Sequence, residues 1–226
     1  VVDAHLLGAR LFVRRTSSPL NFPYVLRPGG STPLGCVGYV DAAAELAAQV
    51  RAGDMPAPSH IVVALGSGGT AAGLAAGLKL AGLESELVCV LVSDVIRVDG
   101  ATVARLARRT LRLLGRHGAE VGGVSVAPEE VEVVTRWLGA GYGHATPEAE
   151  SAIELMAERE GVTLEPVYTA KAMSALLALN RRGVFGDGPV LFWNTFSPPE
   201  PRTTDPAATG VADEEQSPTD PVIPES

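Results

Sequence analysis

The run Gly66-Ser67-Gly68-Gly69-Thr70 puts three glycines and two hydroxyls at one turn, directly after the apolar stretch His60 to Ala64 and directly before a helical stretch from Ala71 to Ala81. A strand-to-helix turn of this kind exposes backbone N–H groups and aims the positive end of the helix at whatever sits there. Its chemistry is therefore anion binding, most naturally of a phosphate. A tight turn whose glycines serve sterics alone is the competing reading, but five small residues are more than packing demands. The run matches neither the Walker loop nor GxGxxG, so a nucleotide is not the first expectation.

Metal and disulfide chemistry find no support. The cysteines, Cys36 and Cys89, lie far apart and lack CxxC or Cys/His ligand spacing, which reads as two free thiols with no zinc site. The 226 residues carry a formal net charge of -8 and no Lys/Arg run that could neutralise a phosphate backbone, which argues against nucleic acid as a partner. Apolar runs such as Ile61 to Leu65 and Leu87 to Val92 are far shorter than a membrane span, and no signal peptide stands out. A cytoplasmic location is the expectation.

The elements that must position the turn follow from periodicity. The dense turn signal Pro28-Gly29-Gly30-Ser31-Thr32-Pro33 leads into a helix predicted over Leu34 to Ala52. The strand His60 to Ala64, the glycine turn, the helix Ala71 to Ala81 and the apolar strand Leu87 to Ser93 form a βαβ unit. An amphipathic, arginine-rich helix is expected from Val103 to His117, a short strand over Val131 to Val134, and a helix over Pro147 to Glu160 that starts at Thr146-Pro147. Helix Lys171 to Arg182 and strand Val190 to Asn194 close the pattern. Alternating strands and helices imply an α/β fold with a doubly wound, mostly parallel sheet. Asp3 to Ala9 reads as a helix end and Arg10 to Arg14 as a half-exposed strand. From Ser197 to Ser226, Pro, Thr, Glu, Asp and Ser dominate, and a disordered tail is expected.

Four segments stand together in a recognisable order: Pro28-Gly-Gly-Ser-Thr-Pro-Leu-Gly-Cys-Val-Gly-Tyr39, Gly66-Ser-Gly-Gly-Thr70 followed by Ala71-Ala72-Gly73-Leu74, Gly141-Tyr-Gly143, and Pro166-Val-Tyr-Thr-Ala-Lys171. The chain resembles the D-cysteine desulfhydrase and 1-aminocyclopropane-1-carboxylate deaminase family of fold-type II, tryptophan synthase β-like pyridoxal-phosphate enzymes. The likeness covers nearly all of residues 1 to 196. It implies pyridoxal 5'-phosphate as cofactor, its phosphate gripped by Gly66, Ser67, Gly68, Gly69 and Thr70. It places Gly30 and Ser31 near the substrate carboxylate, and makes Tyr142 and Tyr168 active-site tyrosines that orient substrate or relay protons. Thr169 stands where deaminase-like members have a glutamate. A neutral hydroxyl facing the pyridine nitrogen, with Thr195 near the sheet's end, would favour desulfhydrase-type elimination over ring opening. The family's glycine pair after the final threonine is replaced here by Phe196-Ser197.

The resemblance also exposes a gap. A pyridoxal-phosphate enzyme needs a lysine amine to hold the aldehyde, and this chain has only Lys79 and Lys171. Lys79 lies nine residues into a helix, about 13 Å from its phosphate end at ~1.5 Å per residue. Lys171 reads as a helix-start residue near the site. The family's Schiff-base lysine lies in an N-terminal segment upstream of these motifs, and the chain opens on Val1 without methionine. The expectation is a partial sequence: residues 1–25 a remnant of the smaller domain, 26–196 the large cofactor domain and 197–226 the tail. Two functions remain open. One is a lyase or deaminase acting on a small amino acid such as D-cysteine, a possible homodimer, inactive as this piece. The other is a non-catalytic module that binds pyridoxal phosphate or another small phosphorylated ligand.

Overall fold

A computed structural model describes residues 26–196. The expectations for residues 1–25 and for the tail lie outside the described residues. A 3-10 turn, Pro28–Gly30, leads to helix α1 (Val37–Ala52); then follow β1 (His60–Leu65), α2 (Gly69–Ala81), β2 (Glu86–Leu91), α3 (Gly100–Arg116), β3 (Val131–Val134), α4 (Pro147–Glu160), α5 (Thr169–Arg181) and β4 (Val190–Trp193). Two further 3-10 turns, Pro128–Glu130 and Arg136–Leu138, flank β3.

The four strands form one parallel sheet in the order β3-β2-β1-β4. Parallel strands are covered on both faces and read as continuous apolar runs, and alternate residues of these strands serve opposite layers. Ile61, Val63, Leu65, Leu87 and Cys89 pack with α1, α2 and α3, whereas Val62, Val88 and Val90 pack with Ala172, Ala175 and Leu179 of α5. Helix α4 lies outside this second layer, its Ala149 and Ala152 against Ala170 and Met173 of α5. The doubly wound α/β reading holds.

Small residues let the first layer pack closely. A Cβ on Gly77 would come within 2.6 Å of the Ala43 Cβ, and one on Gly73 within 2.5 Å of the Cys36 carbonyl oxygen. Both cysteines are buried and free. Burial pushes the Cys89 thiol up to about 12, so it is an inert core group.

The helix starts differ from the sequence expectation for local reasons. α3 begins at Gly100, three residues ahead of the expected start at Val103, because the Asp99 carboxylate caps it by accepting the Thr102 N–H at 2.8 Å. α1 begins later than expected, at Val37, because Thr32 to Cys36 wind through turns in which the Thr32 hydroxyl accepts the Gly35 N–H at 3.0 Å. α4 starts as the sequence predicts, the Thr146 hydroxyl accepting the Ala149 N–H at 3.2 Å.

Candidate functional site

After β1 the chain continues through α2 on one face of the sheet to β2, yet the strand on the other side of β1 is β4, reached from α5 on the opposite face. The carboxyl ends of β1 and β4 therefore diverge at a topological switch point, where open α/β sheets bind ligands. A cavity of about 440 Å³ lies there. It draws Gly66–Thr70 from the β1–α2 turn, Ser93 from the end of β2, Thr195 from the end of β4, and Tyr39, Tyr142 and Tyr168 from three separate segments.

The turn itself is built for close approach. Gly68 has a φ of 89°, open to glycine without strain, and hands the chain to α2. The first N–H groups of α2, those of Gly69, Thr70 and Ala71, have no intrahelical acceptor and face the cavity end of the helix dipole. No Lys or Arg side chain lines the cavity among the described residues. The polar groups that the turn offers to the cavity are amides and hydroxyls at the positive end of the helix dipole.

The glycines are fixed by their neighbours. A Cβ on Gly69 would approach the Ser31 Oγ to 2.7 Å, and one on Gly66 would approach the Tyr168 ring to 3.0 Å. Ser31 donates a hydrogen bond to the Ser67 Oγ at 2.7 Å, tying the Pro28–Gly30 turn to the anion turn. Gly29, which lines the cavity, would place a Cβ 2.1 Å from the same Ser67 Oγ. Neither Gly30 nor Ser31 lines the cavity; Ser31 acts on Ser67 from behind, and Gly29 takes the exposed position.

The two tyrosines meet edge to face, with centroids 5.8 Å apart and rings at 76°. Each is positioned by a carboxylate. Asp94, just past β2, accepts the Tyr142 N–H at 3.0 Å. Glu165 accepts the N–H groups of Val167 at 2.9 Å, of Thr169 at 2.8 Å and of Tyr168 itself, capping α5. Burial, reinforced by the neighbouring Tyr142, pushes the Tyr168 phenol up to about 12. At neutral pH it is a donor.

Thr169 sits apart from the cavity. It is buried, its hydroxyl accepts the Glu165 N–H at 3.0 Å, and it does not line the cavity. A residue one position past Tyr168 on a starting helix turns away from the site. Its hydroxyl is engaged by the backbone of its own helix start.

The lysines sit elsewhere. Lys79 pairs with Glu130 at the far end of α2, as its helix position predicts. Lys171 is fully buried, and its Nζ donates to the carbonyls of Leu138 at 2.8 Å and Gly141 at 3.1 Å. Burial lowers its pKa, while Asp94 and Glu165 oppose that shift. Among the described residues no lysine lines the cavity.

Tyr39, Ser93, Asp94 and Glu165 escaped the sequence reading as site residues. Tyr39 closes the Pro28 to Tyr39 segment, and Ser93-Asp94 sits at a strand's carboxyl end, so both positions carried a signal. Glu165 stands just ahead of Pro166 as a helix-start carboxylate, a signal for α5 rather than for chemistry.

Comparison with known proteins identifies the family. The family model described as "Pyridoxal-phosphate dependent enzyme" matches residues 3–195. D-cysteine desulfhydrase of Yersinia enterocolitica is 38% identical over 178 residues, and that of Klebsiella pneumoniae is 35% identical, each alignment covering 78% of this chain and 51% of the relative. A crystal structure of an ACC deaminase homologue superposes with a TM-score of 0.68 at 32% identity, over 83% of this chain and 53% of the other. The chain thus spans about half the length of the curated relatives it matches.

Proposed function

The chain belongs to the pyridoxal-phosphate-dependent enzymes, and from that premise we propose that it forms the cofactor-binding part of a lyase of the D-cysteine desulfhydrase type. The observation that carries the proposal is the meeting of an amide-lined anion turn and an edge-to-face tyrosine pair across one cavity at the switch point.

The residues present fit the cofactor's phosphate and ring. A side chain on Gly66 or Gly69 would collide with Tyr168 or Ser31, so the cradle stays open for a bulky anion. The N–H groups of Gly69, Thr70 and Ala71, with the Ser67 and Thr70 hydroxyls, would hold the phosphate, and Thr195 would offer its hydroxyl from the β4 end of the cavity. When bound, pyridoxal phosphate withdraws electrons from the amino acid's α-carbon, so that the α-proton and a β-substituent can leave. Tyr168, a phenol at neutral pH, donates a hydrogen bond or a proton and cannot serve as a resting base. Tyr142 lines the same cavity, and its ring packs edge to face against that of Tyr168. For a β-thiol amino acid the balance is amino acid and water in, keto acid, ammonia and sulfide out. The relatives' activity makes D-cysteine the first substrate to test.

The amine that holds the aldehyde is neither of this chain's lysines. Lys79 faces away at the far end of α2, and Lys171 is consumed by two carbonyls behind the cavity. Turnover then belongs to a protein in which another amine reaches the site. That placement also favours a second reading, a module that binds pyridoxal phosphate or another small phosphorylated ligand without catalysis.

Absorbance titration of the chain with pyridoxal phosphate, borohydride reduction and peptide mapping test the cofactor assignment. Saturable binding that inorganic phosphate displaces, with no stoichiometric adduct on Lys171, is expected. A stoichiometric Lys171 adduct would show that this side chain turns into the cavity, and no binding at all would remove the cofactor assignment. Sulfide release from D-cysteine by the whole protein separates the lyase from the binding module.

A further inference from the structure

We propose that Lys171 is a positioning residue whose buried ammonium, bonded to the Leu138 and Gly141 carbonyls, fixes the 138–143 turn and thereby aims Tyr142 at Tyr168 and at the ligand. The turn cannot hold this shape by itself. Gly139, Gly141 and Gly143 have φ values of 66°, 118° and 84°, conformations that are easy for glycine but cost it the most entropy to fix. Its one internal tie is a weak hydrogen bond of 3.4 Å from the Gly141 N–H to the Leu138 carbonyl.

Three external ties supply the rest. Lys171 takes both ends of the Leu138–Gly141 loop, and the Asp94 carboxylate takes the Tyr142 N–H. Lys171 is the third residue of α5, one turn after Tyr168, so the group that fixes the Tyr142 turn and the ring that meets Tyr142 ride on the same helix end. A shift of α5 moves both together.

A wholly buried ammonium with no carboxylate at ion-pair distance among the described residues is a costly way to bond two carbonyls. A neutral donor would serve a turn whose only task is to cross the surface. The charge is tolerable because Asp94 and Glu165, the two carboxylates that hold Tyr142 and Tyr168, both act on it at longer range. The ammonium and these two acids form one set, and what the set holds is the tyrosine pair.

The ligand arm of the test rests on the function proposed above; the exchange arm does not. The full chain is prepared as wild type, Lys171→Met, Lys171→Gln, Tyr142→Phe and Lys171→Met with Tyr142→Phe. Two probes are titrated: phosphopyridoxyl-D-alanine, a stable amine carrying both phosphate and amino acid, and pyridoxine 5'-phosphate, which lacks the amino acid. Lys171→Met should weaken the first probe about tenfold and the second less than about twofold, as loss of one well-aimed hydrogen bond to the amino-acid end predicts. In the Tyr142→Phe background the same change should have almost no further effect. Lys171→Gln, which keeps a neutral donor for one carbonyl, should fall between wild type and Lys171→Met; it replaces the methionine variant if that one does not fold.

Hydrogen exchange of the ligand-free chain supplies the second readout. Amides of residues 138–144 should exchange faster in the Lys171 variants while β1 and β2 keep their protection. Equal weakening of both probes, a Lys171 effect that persists without the Tyr142 hydroxyl, or exchange rising across the whole sheet would overturn the inference. If wild type binds neither probe, the cofactor assignment fails, and the exchange pattern still decides whether Lys171 holds the turn.

Discussion

Gly73→Ala and Gly38→Ala are the same chemical change in two adjoining helices, and the structure assigns them opposite signs. In either helix alanine relieves glycine's entropy cost, a gain of up to about 1 kcal/mol. At Gly38, in the first turn of α1, an added Cβ meets nothing within 4 Å, so that gain should be realised, at about 0.5 kcal/mol. At Gly73, on α2, the Cβ would lie 2.5 Å from the Cys36 carbonyl oxygen and 2.5 Å from the Tyr39 Cβ. Non-bonded carbons settle near ~3.5 to 4.0 Å. The start of α1 must therefore back away by about 1 Å. One of the obstructing atoms is backbone and cannot rotate aside, which places the over-packing cost at the upper end of about 1–3 kcal/mol. Less the propensity gain, Gly73→Ala should destabilise by about 2 kcal/mol.

Urea unfolding followed by circular dichroism reads both values. With a slope of about 1–3 kcal/mol per molar urea, the two midpoints should separate by roughly 1 M. Because Tyr39 lines the cavity, Gly73→Ala should also weaken pyridoxine 5'-phosphate, while Gly38→Ala leaves it unchanged. If both variants move the midpoint in the same direction, the close approach of α1 to α2 is wrong. The packing argument for the first layer would go with it.

Three further outcomes follow from named contacts. Tyr168 titrates near 12 in the folded chain against 10.0 when free, so the folded state refuses a proton loss that the unfolded chain accepts; wild type should lose stability relative to Tyr168→Phe as pH rises from about 10 to about 12, and a constant difference across that window would contradict the burial assigned to the phenol. Glu165→Ala leaves the N–H groups of Val167, Tyr168 and Thr169 without their acceptor and should cost about 2 kcal/mol in urea unfolding, with a reduced near-ultraviolet tyrosine signal. Lys79→Ala removes an exposed ion pair with Glu130 and should change stability by less than about 1 kcal/mol and pyridoxine 5'-phosphate affinity not at all; a large loss of affinity would place Lys79 in the site.

The parts of this molecule that could be read from sequence are those encoded within a few consecutive residues. The strands announced themselves as continuous apolar runs, and His60–Leu65 and Val190–Trp193 differ from the expected ranges by one residue each. The anion turn needs only its own glycines and hydroxyls, and all of Gly66–Thr70 lines the cavity. Helix α2 starts at Gly69 rather than Ala71 because glycine's low propensity hides a helix whose N-terminus is fixed by the turn itself. What stayed hidden depends on distance along the chain. Asp94 finds Tyr142 across 48 positions, Lys171 finds Leu138 across 33, and no local pattern encodes either meeting. The placement of Thr169 was hidden for a different reason: its neighbour Tyr168 lines the cavity, but one step along a helix rotates a side chain by about 100° and carries it into the interior.

This division has a functional consequence. The glycine-turn end of the cavity is made by a single turn braced by Ser31 and takes no hydrogen bond from the tyrosine-bearing segments among the described residues. The tyrosine end is assembled from residues 94, 138–143 and 165–171, three segments joined by the hydrogen bonds of Asp94 and Lys171 and by the contact of the two tyrosine rings. Affinity for the phosphate and discrimination at the amino-acid end should therefore respond to different substitutions. On the proposed function, Asp94→Ala and Glu165→Ala should leave pyridoxine 5'-phosphate within about twofold while shrinking any difference in affinity between phosphopyridoxyl-D-alanine and its L enantiomer, because such a difference needs fixed geometry. If both affinities fall together in these variants, the two ends form one cooperative site, and the independence argued from their construction is refuted.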